Sequence, residues 1–212
     1  MIRILVADDH AVVRQGMIQI LADVKDMLVK DEAQNGVETL DKVLKYEYDV
    51  VLLDISMPGR SGLEVLEDIK AQRPKLAVLI LSMHPEEQYA VRALRAGASG
   101  YLTKASAPQE LIGAIRKVAG GGKYVTASLA EKLAEELDID TRKLPHERLS
   151  NREHQVMMML ASGKTVSDIA DELCLSVKTI STYRSRIMDK MNMKKNAELT
   201  LYAVQNHLLS DA

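Results

Sequence analysis

Three carboxylates stand where two short apolar segments of the sequence end. Asp8 and Asp9 follow the run 2–7, and Asp54 closes the run 49–54. Both runs are rich in Val, Ile and Leu and bounded by polar residues, which is typical of buried parallel strands. If these strands are neighbours, the carboxylates meet at the C-terminal edge of one sheet, where open α/β folds place their chemistry. Carboxylates this close repel one another unless a hard cation lies between them, and Mg2+ prefers oxygen ligands.

Asp54 is the candidate nucleophile toward a phosphoryl group. Attack on phosphorus builds negative charge on the equatorial oxygens, so the site needs a metal ion, a cationic side chain and a hydroxyl or amide donor. Asp9 and Asp54 are the candidate metal ligands, with Asp8 acting through a water molecule. Lys104 and Ser82 stand at the ends of two further strand-like runs and provide the cation and the hydroxyl.

The first 120 residues alternate between strand-like and helical patterns. Strands are predicted at 2–7, 27–33, 49–54, 76–82 and 99–102, and helices at about 11–23, 36–46, 62–72, 86–96 and 107–119. Five βα units predict an α/β domain with a doubly wound, five-stranded parallel sheet, in which right-handed crossovers cover both faces. Three glycines at 120–122 end the last helix, so we place the first domain at 1–122.

The second half of the chain has no strand pattern. Residues 123–147 have the character of a linker with a short helix from Ser128 to Leu137, and residues 148–212 predict a small all-α domain. Its helices are expected at about 151–161, 166–173, 177–191 and 195–208. Capping signals precede the first three of them: Ser150 with Glu153, Thr165 with Asp168, and Ser176.

Residues 165–191 fit a helix, a tight turn and a second helix. This is the arrangement of a helix-turn-helix, which lays its second helix in the major groove of DNA. Ile180, Ile187 and Met191 recur on one face of the second helix and predict its buried stripe. The opposite face carries Lys178, Ser181, Thr182 and Ser185. Between 178 and 195 six cations stand against one acid, a local excess of +5 in a chain of formal net charge −2, which is typical of a phosphate-binding surface.

Composition narrows the class of protein. The 212 residues are 47% hydrophobic but only 3% aromatic, with no Phe or Trp, so aliphatic side chains and methionines must fill the core. One cysteine, Cys174, excludes an internal disulfide and a cysteine-based zinc site, and its two leucine neighbours predict a small buried side chain. The first residues do not fit a signal peptide, and no apolar stretch approaches the ~20 residues of a membrane span. We therefore expect a cytoplasmic protein without a membrane segment.

The motifs of residues 1–120, taken together, resemble the receiver domain of two-component response regulators, which has a flavodoxin-like fold. The matching pieces are Asp8-Asp9-His10 with Arg14 and Gly16, Asp54-Ile55-Ser56-Met57-Pro58 with Gly62, then Ser82, and Gly97 to Lys104. Each piece alone is weak evidence, whereas all of them in register are highly specific. The chain departs from the family in one place, since the family's Lys-Pro dipeptide is Lys104-Ala105 here.

The resemblance implies that Asp54 takes a phosphoryl group from a sensor histidine kinase. It also implies that Asp9, Asp54 and the carbonyl of Ser56 ligate Mg2+, with Asp8 completing the acidic cluster. A phosphatase of the haloacid dehalogenase type also uses an Asp nucleophile on a parallel sheet. That enzyme needs a second Asp two residues after the nucleophile, where this chain has Ser56, so we expect a protein that is not an enzyme.

Further roles follow from the same resemblance. Ser82 would turn to bond the acyl phosphate, Lys104 would pair with it, and Tyr101 would follow by changing its rotamer. Each residue also has a plainer explanation when it is considered alone: Ser82 suits a helix N-cap, and Tyr101 suits the core. His10 and His84 are expected to be exposed loop residues.

The stretch from Leu149 to Leu209 resembles the LuxR-type helix-turn-helix. The matching segments are Leu149 to Glu153, Ala161 to Lys164, Ile169-Ala170 with Leu173, and Ser176 to Ile180. A receiver followed by this domain makes the NarL/FixJ group, and the segment 181–187 looks like the branch that controls virulence and secondary metabolism. The family's base contacts fall at Ser181, Thr182 and Ser185, although the lysines common at two of these positions are serines here. The candidate DNA-binding residues are Lys178, Thr179, Ser181, Thr182, Tyr183, Arg184, Ser185, Arg186 and Lys190.

These observations predict a phosphorylation-dependent transcription regulator that binds DNA and uses Mg2+. Its expected partners are a sensor histidine kinase, double-stranded DNA, RNA polymerase and, once phosphorylated, a second copy of the chain. One alternative is a DNA binder whose receiver only dimerises, against which the acidic cluster with Ser82 and Lys104 argues. A second alternative is a phosphate-relay protein, which the DNA-binding domain makes less plausible.

Overall fold

The strand-like runs of the first half of the chain form one parallel sheet. The computed structural model describes residues 1–84, 86–126, 129–130 and 144–209, and for Glu87 and Gln88 it describes only the backbone. The strands are β1 (Ile2–Ala7), β2 (Met27–Ala33), β3 (Val50–Asp54), β4 (Ala77–Ser82) and β5 (Gly100–Thr103). They pair in the order β2-β1-β3-β4-β5, every pair parallel, which confirms the predicted sheet. The order reverses between β1 and β3, and open α/β sheets bind ligands at such a switch point.

Helices alternate with the strands and bury them. They are α1 (Ala11–Ala22), α2 (Gly36–Lys45), α3 (Gly62–Gln72), α4 (Glu86–Arg95) and α5 (Pro108–Ala119). Every residue of β3 and β4 is buried, as expected for central strands covered on both faces. On one face, Leu21 of α1 and Ile115 of α5 belong to the same apolar cluster as Ile4, Leu52 and Leu79 of the strands. The packed sheet and its helices hold the polar residues in place at the strand ends.

The chain continues from α5 along the edge of β5. Tyr124 forms a parallel bridge with Gly100, its hydroxyl donates to Glu110 at 2.8 Å, and Leu129 is buried. The contacts divide the chain into two compact units, Met1–Glu131 and Lys132–Ala212. Of the helix predicted from Ser128 to Leu137, residues 129 and 130 are helical, and the rest of that prediction lies outside the described residues.

The described part of the second unit contains a short 3-10 helix, Pro145–Arg148, and four α-helices. These are α6 (Asn151–Ala161), α7 (Val166–Glu172), α8 (Val177–Met191) and α9 (Asn196–Gln205). The predicted caps form: the hydroxyls of Ser150, Thr165 and Ser176 accept hydrogen bonds from backbone amides three residues later, which fixes where α6, α7 and α8 begin. Within the described ranges, no helix combines the length and apolar character needed to cross a membrane.

Cys174 is exposed, so the buried position predicted for it is wrong. It lies in the turn between α7 and α8 with a φ of 51°, in the left-handed region. The amide of Leu175 donates to the carbonyl of Ala170, and the amide of Cys174 donates to that of Asp171, which ends α7 in a Schellman-like turn. This reversal turns Cys174 toward solvent while Leu173 remains buried. Apolar neighbours therefore misled the prediction, because the backbone changes direction at this residue.

Glu153 ties α6 to α8 through a buried carboxylate. It accepts a hydrogen bond from the amide of Ser150 at 2.8 Å and another from Nζ of Lys190 at 2.6 Å. Burial acts to raise the pKa of Glu153, but the hydrogen bonds from Lys190 and Ser150 outweigh it and hold the pKa below its ordinary value of 4.5. A carboxylate with a lowered folded pKa stabilises the fold above its unfolded pKa, and this contribution is lost as the pH falls through the folded pKa.

We therefore expect Glu153→Gln to lower the free energy of unfolding of the second unit by about 1–2 kcal/mol near neutral pH. The difference from the wild type should shrink as the pH falls below 4.5. Urea unfolding over a series of pH values measures both effects. Glu172→Gln is the control, because Glu172 pairs with Lys164 at the surface and its loss should cost much less. Equal losses in the two variants would contradict the role assigned to Glu153.

Candidate functional site

The polar residues predicted at the strand ends lie together at the C-terminal edge of the sheet. Asp8 follows β1, Asp54 ends β3, Ser82 ends β4 and Lys104 follows β5, and the strand registers place these ends side by side. Asp8 and Ser82 are fully buried, and Asp54 is 1% exposed. The parallel topology therefore gathers residues that are far apart in sequence at one protected place.

Lys104 joins two carboxylates of this cluster. Its Nζ lies 2.8 Å from Oδ2 of Asp8 and 2.8 Å from Oδ2 of Asp54, and its side chain is only 4% exposed. Burial acts to lower the pKa of Lys104, but the attraction of Asp54 and the hydrogen bonds of both carboxylates outweigh it, so this pKa is raised. For Asp54, burial is the largest influence and the pKa of its carboxyl is raised despite Lys104. The peptide bond from Lys104 to Ala105 is trans.

The loop after β3 fixes the direction of the Asp54 carboxylate. Its Oδ1 accepts a hydrogen bond of 3.2 Å from the amide of Ser56, while Oδ2 points to Lys104. The amide of Gly62, the first residue of α3, donates to the carbonyl of Ile55 at 2.9 Å. A Cβ at Gly62 would lie 1.9 Å from the carbonyl oxygen of Asp54, so only glycine allows this approach. The start of α3 therefore supports the backbone of the candidate nucleophile.

The loop after β1 presents the other two carboxylates. Oδ1 of Asp8 accepts a hydrogen bond from the amide of His10 at 2.9 Å, and Asp9 is partly exposed, with 26% of its side chain accessible. The nearly buried guanidinium of Arg14 donates to the carbonyl of Asp8 at 2.7 Å and to Glu32 of β2 at 2.8 Å. Sequence reasoning gave Arg14 no role and missed Glu32, because their contact depends on β2 lying beside β1.

The acidic cluster has the donor set and the charge of a divalent cation site. One ligand atom each from Asp8, Asp9, His10 and Asp54 lies within 4.8 Å of the others. Oδ2 of Asp8 and Oδ2 of Asp54 are buried, and both interact with the single ammonium of Lys104 at 2.8 Å. Three carboxylates, two of them buried, lie beside one ammonium and leave an excess of negative charge, which favours binding of a hard cation.

Ser82 and Tyr101 lie beside the cluster and interact with each other. The Ser82 hydroxyl accepts a hydrogen bond from the amide of His84 at 3.0 Å, and its carbonyl accepts from the amide of Lys104 at 2.8 Å. Tyr101 is fully buried, and its hydroxyl donates to the carbonyl of His84 at 2.8 Å. Burial is the main reason why the pKa of the Tyr101 phenol is raised, and a hydrogen bond with Ser82 opposes that effect. In this conformation Tyr101 is inward and the loop after β4 rests on both side chains.

Helix α8 has the two faces that the sequence predicted. Ile180, Ile187 and Met191 are buried, together with Met188. The exposed side chains include Lys178, Ser181, Thr182, Ser185 and Arg186. Two of the hydroxyls bond to their own helix: Thr182 donates to the carbonyl of Lys178 at 2.9 Å, and Ser185 donates to that of Ser181 at 3.1 Å. The exposed face is therefore polar and cationic.

Four of the predicted DNA-binding residues are engaged within the second unit or partly covered. Nε of Arg184 donates to Asn196 of α9 at 2.8 Å, and Lys190 is bound to Glu153. Tyr183 is half-buried, and the Thr179 hydroxyl lies 2.8 Å from that of Ser176 at the helix start. Some of the charge counted on this helix therefore also holds the domain together.

Two segments of the chain match known protein families. Residues 4–116 match the response regulator receiver domain, and residues 147–203 match the bacterial regulatory proteins of the luxR family. The chain is 38% identical to the response regulator GacA of Pseudomonas viridiflava, over 99% of this chain and 98% of that protein. It is 37% identical to the response regulator UvrY of Escherichia coli, over 98% of this chain and 96% of that protein.

A solved structure is similar across both units. It is RcsB from Salmonella enterica serovar Typhimurium, bound to the promoter rprA in the presence of the phosphomimetic BeF3−. The TM-score is 0.66 and the identity 26%, over 95% of this chain and 97% of that one. The match of both segments, the two full-length relatives and this structure confirm the resemblance seen in the sequence. The chain belongs to the response regulators of the NarL/FixJ type, in which a receiver domain precedes a LuxR-type helix-turn-helix domain.

Proposed function

We propose that Asp54 accepts a phosphoryl group from the phosphohistidine of a sensor kinase and that this modification controls DNA binding by α8. The observation that carries the proposal is the buried group of Asp8, Asp54 and Lys104, with the ammonium 2.8 Å from each carboxylate. One carboxylate oxygen of Asp54 forms the bond to phosphorus while the bond from phosphorus to the kinase's imidazole breaks, and the electron pair leaves with that imidazole. Lys104 then balances charge on the phosphoryl oxygens.

The acidic cluster is the proposed Mg2+ site. Asp9, Asp54 and the carbonyl of Ser56 would hold the ion, and Asp8 would act through a water molecule. When bound, Mg2+ supplies positive charge next to the transferred phosphoryl group. Arg14 supports the ligands, because it holds the carbonyl of Asp8 while its own charge is paired with Glu32.

Ser82 and Tyr101 are the proposed switch. Once a phosphoryl group is on Asp54, the Ser82 hydroxyl would bond it and give up the hydrogen bond from the amide of His84. Tyr101 would then change rotamer, since its present hydrogen bond ends on the same loop. The surface around β4 and β5 would thus have two conformations, and phosphorylation of Asp54 would favour one of them.

The second unit is the proposed DNA reader. Helix α8 would enter the major groove, with Ser181, Thr182 and Ser185 near base edges and the neighbouring cations near phosphates. The remaining proposed contacts are Lys178, Thr179, Tyr183, Arg184, Arg186 and Lys190. A phosphorylated homodimer would engage two half-sites, and contact with RNA polymerase would then alter transcription. Because the proposed ligand is DNA, we expect the protein to act in the cytoplasm.

The proposed organisation is a receiver at 1–122, a linker at 123–147 and a DNA-binding domain at 148–212. We propose no enzymatic activity toward a separate substrate. A phosphatase with an Asp nucleophile would place its acid/base carboxylate where this chain has Ser56, whose amide donates to Asp54 instead. Asp54 thus has a metal site and a cation around it but no general base at that position to release the phosphoryl group.

Arg186→Ala should weaken binding to duplexes of any sequence by a similar factor. Arg186 is exposed on α8, and each phosphate contact removed lowers the slope of log affinity against log salt by about one. Fluorescence anisotropy at several salt concentrations gives both quantities. Lys45→Ala is the control, because Lys45 is an exposed cation of α2 that pairs with Asp41. A salt slope that is the same in Arg186→Ala and in the wild type would contradict the phosphate contact.

A selection from random DNA duplexes tests the proposed function as a whole. The wild type and Asp54→Ala are each incubated with the pool, with and without acetyl phosphate and Mg2+. We expect enrichment of a two-fold symmetric sequence by the wild type, strongest after phosphorylation. Equal enrichment by both proteins in every condition would leave a DNA binder whose receiver is only a scaffold. No enrichment at all would contradict the assignment of α8 as a DNA reader.

A further inference from the structure

His10 makes a contact with the acidic cluster that the phosphoryl chemistry does not use. Its Nδ1 lies 2.8 Å from Oδ1 of Asp9 and 3.6 Å from Oδ1 of Asp8. Its backbone amide donates to the same oxygen of Asp8, which fixes the residue at the rim of the site. The side chain is 61% exposed, so the ring sits between the buried carboxylates and solvent.

The distances fit an imidazole among the ligands of one metal ion. One ring nitrogen of His10 and one carboxylate oxygen each from Asp8, Asp9 and Asp54 lie within 4.8 Å of one another. In an octahedral site with bonds of about 2.1 Å, adjacent ligand atoms are about 3 Å apart and opposite ones about 4.2 Å. The 2.8 Å separation of Nδ1 from the Asp9 oxygen is that of adjacent ligands. The separations within the group reach up to 4.8 Å, and small movements of the exposed His10 and partly exposed Asp9 side chains would bring them to the distances of a metal site.

The ring can offer a lone pair to a cation in its neutral form. Without an ion, Nδ1 donates to Asp9 in the 2.8 Å contact, because a carboxylate oxygen only accepts. A bound cation would take the place of that proton, and a neutral ring with its proton on Nε2 would offer the Nδ1 lone pair to the ion. Nitrogen ligands distinguish between cations: Mg2+ prefers an all-oxygen shell, whereas imidazole suits first-row transition ions, whose affinities rise from Mn2+ through Co2+ to Ni2+. A histidine in this position therefore changes which ion the site holds best.

We propose that His10 is a nitrogen ligand of the acidic site and gives it a preference for transition ions such as Mn2+ and Co2+ over Mg2+. The inference rests on the metal site of the proposed function and adds a residue that selects the ion. Asp9 and Asp54 provide the charge that any divalent cation needs, and His10 provides the selectivity.

Ion binding by the full-length wild type and by His10→Asn tests the proposal. Asn keeps a polar side chain at the rim but has no imidazole nitrogen. In isothermal titration calorimetry, the affinity for Co2+ should fall about tenfold or more in the variant, while that for Mg2+ should stay within about twofold. If the Mg2+ affinity falls as much as the Co2+ affinity, His10 acts on the structure of the loop and is not a selective ligand.

A spectroscopic signature identifies the ligand directly. Electron spin-echo modulation of Mn2+ bound to the wild type should show coupling to a ring nitrogen, and this coupling should be lost in His10→Asn. His84→Asn tests the neighbouring loop and His207→Asn tests the second unit, and both variants should keep the coupling. Persistence of the coupling in His10→Asn would overturn the proposal.

The outcomes also separate this proposal from the proposed function. Mn2+ that binds the wild type without any nitrogen coupling would overturn the role of His10 and leave the site of Asp9 and Asp54 in place. A wild type that binds neither Mn2+ nor Mg2+ would contradict the metal site itself, and with it the phosphoryl chemistry proposed for Asp54.

Discussion

Asp54→Asn is expected to abolish phosphoryl incorporation from acetyl phosphate. An amide oxygen is a poor nucleophile and carries no charge for a divalent cation, so the variant lacks both the attacking atom and a metal ligand. The amide has the shape of the carboxylate and keeps an oxygen to accept from Ser56. The variant should therefore stay folded, with a circular dichroism spectrum like that of the wild type. Phosphate-affinity electrophoresis after incubation with Mg2+ and acetyl phosphate measures the incorporation.

Asp41→Asn is the matched control for this substitution. Asp41 is an exposed residue of α2 that pairs with Lys45, so removal of its charge should leave phosphoryl incorporation unchanged. Incorporation at the wild-type level in Asp54→Asn would show that another residue is the acceptor. Mass spectrometry of the phosphorylated chain would then locate it, and the roles proposed for Lys104 and Ser82 would have to be reassigned.

Gly62→Ala is expected to destabilise the first unit by about 3 kcal/mol or more. The new methyl group would lie 1.9 Å from the carbonyl oxygen of Asp54, 2.8 Å from its carbonyl carbon and 2.8 Å from Cα of Ile55. All three atoms belong to the backbone, so no side chain can rotate away, and α3 has to separate from the loop that carries the nucleophile. Urea unfolding followed by circular dichroism measures the loss.

Gly113→Ala is the control for added volume at a glycine. Gly113 lies in α5 with open space around it, and replacement of a helical glycine by alanine favours the helix by roughly 0.5–1 kcal/mol. The two variants should therefore change stability in opposite directions. If Gly62→Ala unfolds at the same urea concentration as the wild type, the start of α3 does not lie as close to the backbone of Asp54 as described.

The positions of Asp54, Ser82 and Lys104 could be predicted from sequence because strands are short and their ends are marked. Apolar runs ending in polar residues indicated the strand ends, and the parallel topology brought them to one edge. The starts of α6, α7 and α8 could also be predicted from the sequence, since Ser150, Thr165 and Ser176 cap them through local hydrogen bonds. Interactions within a few residues of each other leave a pattern in the sequence.

Contacts between distant residues left no such pattern. The pair of Arg14 and Glu32 joins α1 to β2, and the close approach of Gly62 to Asp54 depends on how α3 packs against β3. The charge count on α8 likewise did not reveal a second role of Lys190, which is bound to Glu153. Its partner lies on another helix of the same domain, so the residues of α8 alone could not predict this pair, and Lys190 stays a proposed DNA contact.

Control of DNA binding by phosphorylation at Asp54 is tested most directly by one affinity measurement. A duplex selected from the random pool is titrated with the wild type and with Asp54→Asn, before and after incubation with acetyl phosphate and Mg2+. We expect phosphorylation to tighten binding by the wild type by about 5- to 150-fold, the usual range of coupling between two sites. The variant should show no change. Equal affinities of the wild type in both states, with phosphorylation confirmed in the same sample, would contradict the control of α8 by Asp54.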